Sequence, residues 1–211
     1  MARQARAILK RRVILEAAAS VFNEYGYGAS TIAQILERAA VTRGALYFHF
    51  CSKEALARSV LAEAVTTEGV RPQPLKLQEF VDVGLLLAHR LPREPLLSAS
   101  LRLSVDQNAR TLFGTRWPDW IEVAARLLQA GQERGEVLPH IIPAETGRIF
   151  IGAWTGVGLV SETLDPVPEL TTDIAKFFDL LLPSIAVPSV LIKLDTSPGR
   201  VPRLLRAAGE G

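Results

Sequence analysis

The stretch VTRGALYFHF, residues 41–50, holds side chains of the types that contact nucleic acid. Thr42 offers a hydroxyl at a helix start, where a phosphate binds well, and Arg43 has the planar fork that suits guanine O6 and N7. Gly44 removes the side chain at a point where backbone and base edge must come close. These residue types at one helix start indicate a surface that binds DNA.

The second half of this stretch combines polar tips with apolar rings. Tyr47 and His49 suit contacts to a sugar-phosphate backbone, and Lys53 adds a positive charge just beyond. We expect the apolar members to form the buried side of a short helix, and these are Leu46, Phe48 and Phe50. The alternative for the polar set is a solvated face without a partner.

Positive charge is concentrated in the N-terminal part of the chain. Residues 1–65 carry nine Lys/Arg and five Asp/Glu, whereas residues 66–211 carry fifteen and seventeen. The formal net charge of +2 conceals this difference. A basic N-terminal part suits an acidic partner and favours the DNA interpretation over the solvated face.

Short helices must position these side chains. Apolar residues at helical spacing predict a first helix over residues 7–25. Thr31 and Gln34 have the spacing of a capping box, which predicts a helix over 31–39 that is followed by another over 42–48. Two short helices joined by a tight turn have the dimensions of a helix-turn-helix.

The rest of the chain is predicted to be helical as well. Helical patterns cover residues 53–66, 76–90, 95–106, 116–133, 144–163 and 168–182. A break with two prolines, Glu68–Leu75, interrupts them, and the tail after Pro198 is expected to be loose. No alternating strand pattern of useful length is present, so we predict an all-α fold of about nine helices. We expect a helix-turn-helix DNA-binding domain over residues 1–52 and a helical ligand-binding and dimerisation domain over 53–211.

Other classes of protein are disfavoured by composition. The single cysteine, Cys51, cannot form an intramolecular disulfide and is expected to be a buried thiol rather than an oxidation sensor. The three histidines have no metal-ligand spacing, and no catalytic elbow or phosphate-binding loop is present. We expect no metal, no cofactor and no catalysis, and a small α-helical enzyme stays a remote alternative. Without a secretory signal or a long apolar run, a cytoplasmic protein that does not enter a membrane is expected.

The segment TIAQILERAAVTRGALYFHFCSKEAL, residues 31–56, closely resembles the DNA-binding signature of the TetR family of bacterial repressors. The preceding ILEAAASVFNEYGYGASTIAQI matches the first helix of that family, so the resemblance covers about the first 65 residues. It implies phosphate contacts at Thr42, Tyr47 and Lys53 and groove contacts at Arg43, Gly44 and His49, and Thr31 completes the predicted DNA-binding set.

Four further motifs resemble the γ-butyrolactone autoregulator receptors within that family. They are MARQARA at the start, GALYFHF, SASLRLS at 98–104 and TLDP at 163–166. Such receptors are repressors that control antibiotic production and leave DNA when a small diffusible signal binds. The resemblance implies a homodimer that binds operator DNA and a small apolar ligand with a carbonyl or hydroxyl, of lactone, furan or butenolide type. Those receptors often have lysine at the position of Arg43, so operator preference is expected to differ. A TetR-type repressor of a drug-efflux gene stays an alternative.

Candidate ligand residues follow partly from composition and partly from the resemblance. Leu85 and Leu101 are expected to line an apolar cavity, with plain core packing as the alternative. Trp120, within WPDW, lies where the resemblance implies a tryptophan that closes over the signal. Thr155 lies where it implies a hydroxyl that bonds the ligand carbonyl.

The dimer interface is expected in the last two long helices, through which TetR relatives dimerise. Gly152 and Gly156 lie four residues apart on one helix, which lets another backbone approach closely. The next helix carries an apolar stripe that we assign to the same interface, and its members are Ile174, Phe177, Phe178 and Leu181. The alternative is that both surfaces pack inside one subunit.

Overall fold

The computed structural model describes residues 2–67 and 70–209, and within these ranges it contains α-helices and no β-strand. The helices are α1 (Ala2–Ala29), α2 (Ile32–Ala39), α3 (Arg43–His49), α4 (Lys53–Glu63), α5 (Lys76–Arg90), α6 (Pro95–Val105), α7 (Gln107–Phe113), α8 (Trp117–Glu133), α9 (Pro143–Ser161), α10 (Leu170–Ile185), α11 (Pro188–Leu191) and α12 (Arg200–Ala208). The predicted all-α fold is therefore confirmed. Glu68 and Gly69, part of the predicted break, lie outside the described residues.

Packing divides the chain into two compact units. The first unit is residues 1–66 with 91–116, and the second is residues 67–90 with 117–211. Helix α4 packs in the first unit, with the helices that precede it, although the predicted functional boundary lies just before it. The division by function at residue 52 stays a prediction.

The core of the first unit is built on one side of α1. Phe22 of α1 is buried among apolar side chains of other helices in the same unit, such as Leu56 of α4 and Leu103 of α6. Full burial of a side chain of this size stabilises the fold by about 1.5–3 kcal/mol. The short helices α2 and α3 therefore rest on a base formed by longer ones.

Helix α1 contains a kink close to its C-terminal end. Gly26 has φ 73° and ψ 167°, a conformation that side-chain-bearing residues rarely adopt. The chain then forms one more turn, and the buried hydroxyl of Ser30 donates to the carbonyl of Tyr27 at 2.8 Å. The predicted stop at Gly26 is thus a bend within a helix that runs to Ala29.

Aromatic rings form the centre of the second unit. The rings of Phe80, Phe150 and Phe178 lie 4.5 to 5.7 Å apart between centroids, and Phe177 stacks on Phe150 at 5.8 Å. Gly84 makes room for this cluster, because a Cβ atom there would lie 2.6 Å from Cζ of Phe178. Helix α5 thereby packs closely against α10.

Within the described residues, the C-terminal tail forms a helix, which corrects the expectation of a loose segment, and Glu210 and Gly211 lie outside the described residues. Its helix α12 is joined to α5 by Arg200, whose Nε and Nη2 donate to the Asp82 carboxylate at 2.9 and 2.8 Å. Asp82 is fully buried, and an unpaired carboxylate there would be strongly unfavourable. Gln78 adds hydrogen bonds to the backbone of Asp195.

Among the described helices, none combines the length and the apolar character that crossing a bilayer requires.

Candidate functional site

The predicted capping box at the start of α2 is confirmed. The Thr31 hydroxyl accepts from the backbone N–H of Gln34 at 3.2 Å, and Oε1 of Gln34 accepts from the Thr31 N–H at 2.8 Å. The same hydroxyl donates to Oε1 of Gln34 at 2.9 Å. Because the hydroxyl proton is used within the helix, a phosphate contact by Thr31 requires this bond to be exchanged, and its DNA role stays a prediction.

The turn between α2 and α3 is held by backbone hydrogen bonds. Ala40 adopts the left-handed conformation, with φ 50° and ψ 46°, and its N–H points to the carbonyls of Leu36 and Glu37. The N–H of Val41 donates to the Leu36 carbonyl at 3.2 Å. This ending closes the last turn of α2, and the next helix begins after only three residues, 40–42.

Helix α3 exposes the side chains that the sequence assigned to DNA. Thr42 caps the helix by accepting from the backbone N–H of Ala45 at 3.3 Å, which leaves its hydroxyl proton available. Thr42, Arg43, Gly44 and Tyr47 are all exposed. The Arg43 guanidinium lies 5.7 Å from the centroid of the Tyr47 ring, a cation–π contact that restrains it at the surface. A Cβ atom at Gly44 would meet no heavy atom within 4 Å, so a base or phosphate can approach the backbone there.

Phe48 lies on the exposed side of α3, which corrects its assignment to the core. Leu46 and Phe50 are buried as expected, whereas Phe48 is 80% exposed. Two residues advance an α-helix by about 200°, so Phe48 must point away from Leu46. The ring packs edge-on against half-buried His49, with 5.0 Å between centroids. The helical period alone therefore predicts that Phe48 is exposed when Leu46 is buried.

Lys53 points towards the end of α1. Its Nζ donates to the carbonyls of Tyr27 and Ser30, both at 2.8 Å, and lies 4.4 Å from the centroid of the Tyr27 ring. Burial lowers the pKa of the ammonium, while the charge of Glu54 opposes this shift. Lys53 thus fastens the start of α4 to α1, with one N–H donor left over, and its contact with phosphate stays a prediction.

Hydrogen bonds from Arg38 orient α2 against α1. Arg38 donates to the Ser20 hydroxyl at 2.8 Å and to the Glu24 carboxylate at 2.5 Å. Hydrogen bonds from Tyr25 and Arg38 lower the pKa of Glu24. Side-chain hydrogen bonds to α1 and to the residue that follows it are therefore made at the last turn of α2, by Arg38, and just after α3, by Lys53.

Cys51 follows α3 directly and is exposed, so the expectation of a buried thiol was wrong. It lies just past the C-cap of a two-turn helix, where the chain changes direction at the surface. Among the described residues, no group of three or more His, Cys, Asp or Glu side chains has the arrangement of a metal site.

The predicted ligand residues are only partly brought together. Trp120 lines a small cavity of about 10 Å³ in the second unit. Leu85 is fully buried on α5 and Thr155 is half-buried on α9, but neither lines this cavity. Leu101 is buried in the first unit, whereas the other three residues belong to the second unit. The ligand role of all four stays a prediction.

Aromatic side chains form much of the lining of this cavity, and one of them, Trp154, was not among the predicted ligand residues. Trp154 lines it beside Trp120, and its indole N–H donates to the carbonyl of Gly84 at 3.2 Å. Phe80 and Phe150 complete the aromatic part of the wall. An indole proton that needs a buried acceptor fixes the position of the ring, and no sequence pattern indicated which carbonyl that would be.

The predicted interface residues fall into two groups. Gly152 is exposed and Gly156 half-buried, with open space where a Cβ would stand at either position, and Phe177 and Leu181 are half-buried. The remaining two, Ile174 and Phe178, have no exposed surface within the protomer. Both side chains pack inside one subunit, so they have no surface left to contact a second subunit. Four apolar side chains on α9 and α10 that were not predicted are also exposed, and these are Ile149, Leu159, Val160 and Leu180.

Comparison with known proteins identifies relatives along nearly the whole chain. The model of the family described as bacterial regulatory proteins, tetR family, matches residues 14–60. The A-factor receptor protein of Streptomyces griseus is 43% identical over 202 residues, which are 95% of this chain and 72% of that protein.

Solved structures agree with this result. TylP, a TetR regulator from Streptomyces fradiae, is 38% identical with a TM-score of 0.86, over 96% of this chain and 99% of that one. A γ-butyrolactone receptor described as ArpA-like is 25% identical with a TM-score of 0.72, over 96% and 98% of the two chains. This chain therefore belongs to the TetR family of DNA-binding transcriptional regulators, in the branch that includes the A-factor receptor and the γ-butyrolactone receptors.

Proposed function

We propose that this regulator is a homodimeric repressor that leaves its operator when a small diffusible signal binds. The observation that carries the proposal is the exposed surface at the start of α3, where Thr42, Arg43, Gly44 and Tyr47 stand on a helix whose opposite side is buried. Such a helix inserts into a major groove without disturbing the core beneath it.

Base recognition is assigned to two side chains of this surface. The guanidinium of Arg43 suits bidentate hydrogen bonds to O6 and N7 of guanine, and its contact with Tyr47 reduces the conformational freedom lost on binding. The exposed ring of Phe48 suits apolar contact with a thymine methyl group. Thr42 and Tyr47 supply hydroxyl donors for phosphates, which set the register on the duplex.

Dimerisation is assigned to the outer faces of α9 and α10. Ile149 and Val160 of α9 and Leu180 of α10 are between 59% and 79% exposed, and Gly152 is exposed on the same helix as the first two. Apolar surface of this kind favours association with a second copy. A dimer brings two recognition helices to half-sites about 34 Å apart.

Signal binding is assigned to the aromatic centre of the second unit. The cavity of about 10 Å³ beside Trp120 is too small for any organic ligand. Entry therefore requires rotation of large side chains, above all Trp120 and Trp154. Ligand and operator affinities are then linked, and each lowers the other by the same factor.

The signal is proposed to be a small apolar molecule with a carbonyl or hydroxyl, of γ-butyrolactone, furan or butenolide type. Identity of 43% along 95% of the chain to the A-factor receptor supports this class. The structural similarity to a γ-butyrolactone receptor described as ArpA-like, over 96% of this chain, supports the same class. By the same resemblance we propose control of antibiotic production in the cytoplasm of a filamentous bacterium.

The test of DNA binding is fluorescence anisotropy on a labelled fragment from upstream of the gene itself. We expect Arg43→Ala to weaken binding by about 5- to 150-fold, since a bidentate base contact contributes about 1–3 kcal/mol. The matched control is Arg126→Ala on α8, an exposed arginine whose single ion pair is 3.7 Å long. Equal loss in both variants would show that only overall charge matters and would contradict the assignment.

The test of the signal uses the same complex. Titration with a γ-butyrolactone, then a furan and a butenolide, is expected to release the DNA in one case, and Trp120→Ala is expected to raise the concentration required. Tight DNA binding that none of these compounds changes would direct the search to antibiotics and efflux substrates.

A further inference from the structure

We propose a second small-molecule site in the first unit, which binds a one-ring aromatic carboxylate that carries a hydroxyl group. The site is a half-open cavity of about 230 Å³ between α1 and the end of α6. Its lining residues are Phe22, Gly26, Tyr27, Arg102, Leu103, Val105 and Asp106. All of them belong to the first unit, and none belongs to the predicted signal site of the second.

The cavity lies where two helices are interrupted. Gly26 bends α1 with φ 73°, and Asp106, with ψ 122°, separates α6 from α7. Gly26 has no side chain, and a Cβ atom built there would meet no heavy atom within 4 Å, so the space beside this bend is open.

Apolar and charged groups share the lining. Phe22, Tyr27, Leu103 and Val105 provide walls suited to a flat ring. Arg102 is exposed and forms no ion pair with any described residue, so its guanidinium is available to a carboxylate.

Asp106 requires the ligand to carry a hydrogen-bond donor. Its Oδ1 accepts from the backbone N–H of Ala109 at 2.6 Å, and its other carboxylate oxygen is left to accept from the occupant. A hydroxyl on the ring satisfies this acceptor, whereas a second carboxylate would be repelled.

Volume limits the size of the occupant. A dry cavity of about 150 Å³ holds benzene, so about 230 Å³ suits one ring with two small substituents. A carboxylate for Arg102 and a hydroxyl for Asp106 are two such substituents. The class is therefore a hydroxylated benzoate or phenylacetate.

Tyr27 connects the cavity to the start of α4. Tyr27 lines the cavity, its hydroxyl donates to Oε1 of Glu54 at 3.3 Å, and the Lys53 ammonium lies 4.4 Å from the centroid of its ring. An occupant that shifts this ring would change its contacts with Glu54 and Lys53, which lie at the start of α4, just after the recognition helix. This coupling rests on the proposed function, whereas binding at the cavity does not.

Isothermal titration calorimetry of the full chain tests the site, with 3-hydroxybenzoate, benzoate and phenol as probes. We expect 3-hydroxybenzoate to bind best, benzoate about tenfold more weakly because Asp106 then has no donor, and phenol weakest because Arg102 has no partner. Val105→Trp, at a partly exposed position, is expected to fill the cavity and abolish binding. Arg102→Gln is expected to weaken binding at least tenfold, and Arg110→Gln, an exposed arginine outside the lining, to leave it unchanged.

Two results would overturn the site. They are the absence of any heat for the wild type up to about 10 mM 3-hydroxybenzoate, and equal binding by the wild type and Val105→Trp, with circular dichroism melting to show that the variant is folded. Operator anisotropy is then measured with and without 3-hydroxybenzoate. A change of affinity in the wild type and not in Val105→Trp supports the coupling, and binding without any such change overturns it. Failure of operator binding itself would reject the proposed function while the calorimetry still decides the site.

Discussion

The recognition surface of the first unit and the aromatic centre of the second unit use their large side chains in opposite ways. On α3, Tyr47 and Phe48 point outward, and the helix is held by a side-chain cap and by one buried edge. In the second unit, Phe80, Phe150 and Trp154 point inward and leave a cavity of about 10 Å³.

This difference separates a preformed site from one that must open. The groups proposed to contact DNA are already exposed in the free protein, so under the proposed function operator binding would require little rearrangement of α3 itself. A ligand at the proposed site in the second unit would have to displace packed rings and break the hydrogen bond from Trp154 to Gly84. Part of the free energy of ligand binding would then be used for a conformational change, which the proposed switch requires.

The largest effect expected in the second unit concerns its free energy of unfolding. Arg200→Met leaves the buried Asp82 carboxylate without its charged partner, so the free energy of unfolding should fall by about 3–5 kcal/mol. Chemical denaturation measures this change, with exposed Arg206→Met on the same helix as the control, expected within about 0.5 kcal/mol of the wild type. Equal stability of both variants would contradict a second unit that depends on α12.

Two glycine variants sharpen the comparison between a filled interior and an open surface. Gly84→Ala puts a Cβ 2.6 Å from the Phe178 ring and should destabilise the fold by about 1–3 kcal/mol. Gly44→Ala meets no neighbour and should stabilise it by about 0.5–1 kcal/mol, while it weakens operator binding. Melting temperature and anisotropy are measured on both, and a stability loss in Gly44→Ala would show that α3 is not open.

The corrected position of Phe48 can be tested against its buried neighbour. Phe48→Ala should leave the unfolding free energy within about 0.5 kcal/mol and weaken operator binding by about 1 kcal/mol. Phe50→Ala, which empties a buried position, should cost about 3–5 kcal/mol of stability. If the two variants lost similar stability, the assignment of Phe48 to the outer side would be wrong.

The smallest effect concerns the turn before α3. Ala40 has φ 50°, which is unfavourable for a residue with a side chain, so Ala40→Gly should stabilise the first unit by about 0.5–1 kcal/mol. Thermal unfolding measures the gain, and Ala39→Gly inside α2 is the control, with a loss expected. A gain in both variants would indicate an effect unrelated to the left-handed backbone.

Sequence reasoning succeeded where the relevant interactions are short. The capping box of Thr31 and Gln34 and the cap of Thr42 involve residues three positions apart, so neighbouring residue types encode them. The exposure of Phe48 was also encoded, in its spacing from Leu46, but residue type was given more weight than helical period.

The amino-acid sequence by itself determined α1 to α6 and α8 to α10, the caps of α2 and α3, the turn between these two helices and the polar surface that follows, because these depend on residues within about one helical turn. Only the tertiary structure decided that Arg200 pairs with Asp82, 118 residues away, that Phe178 points inward, and that the bend at Gly26 faces the end of α6. Each of these depends on which helices pack together. Such packing is set by the sum of many weak apolar contacts along the whole chain, and no local pattern carries that sum.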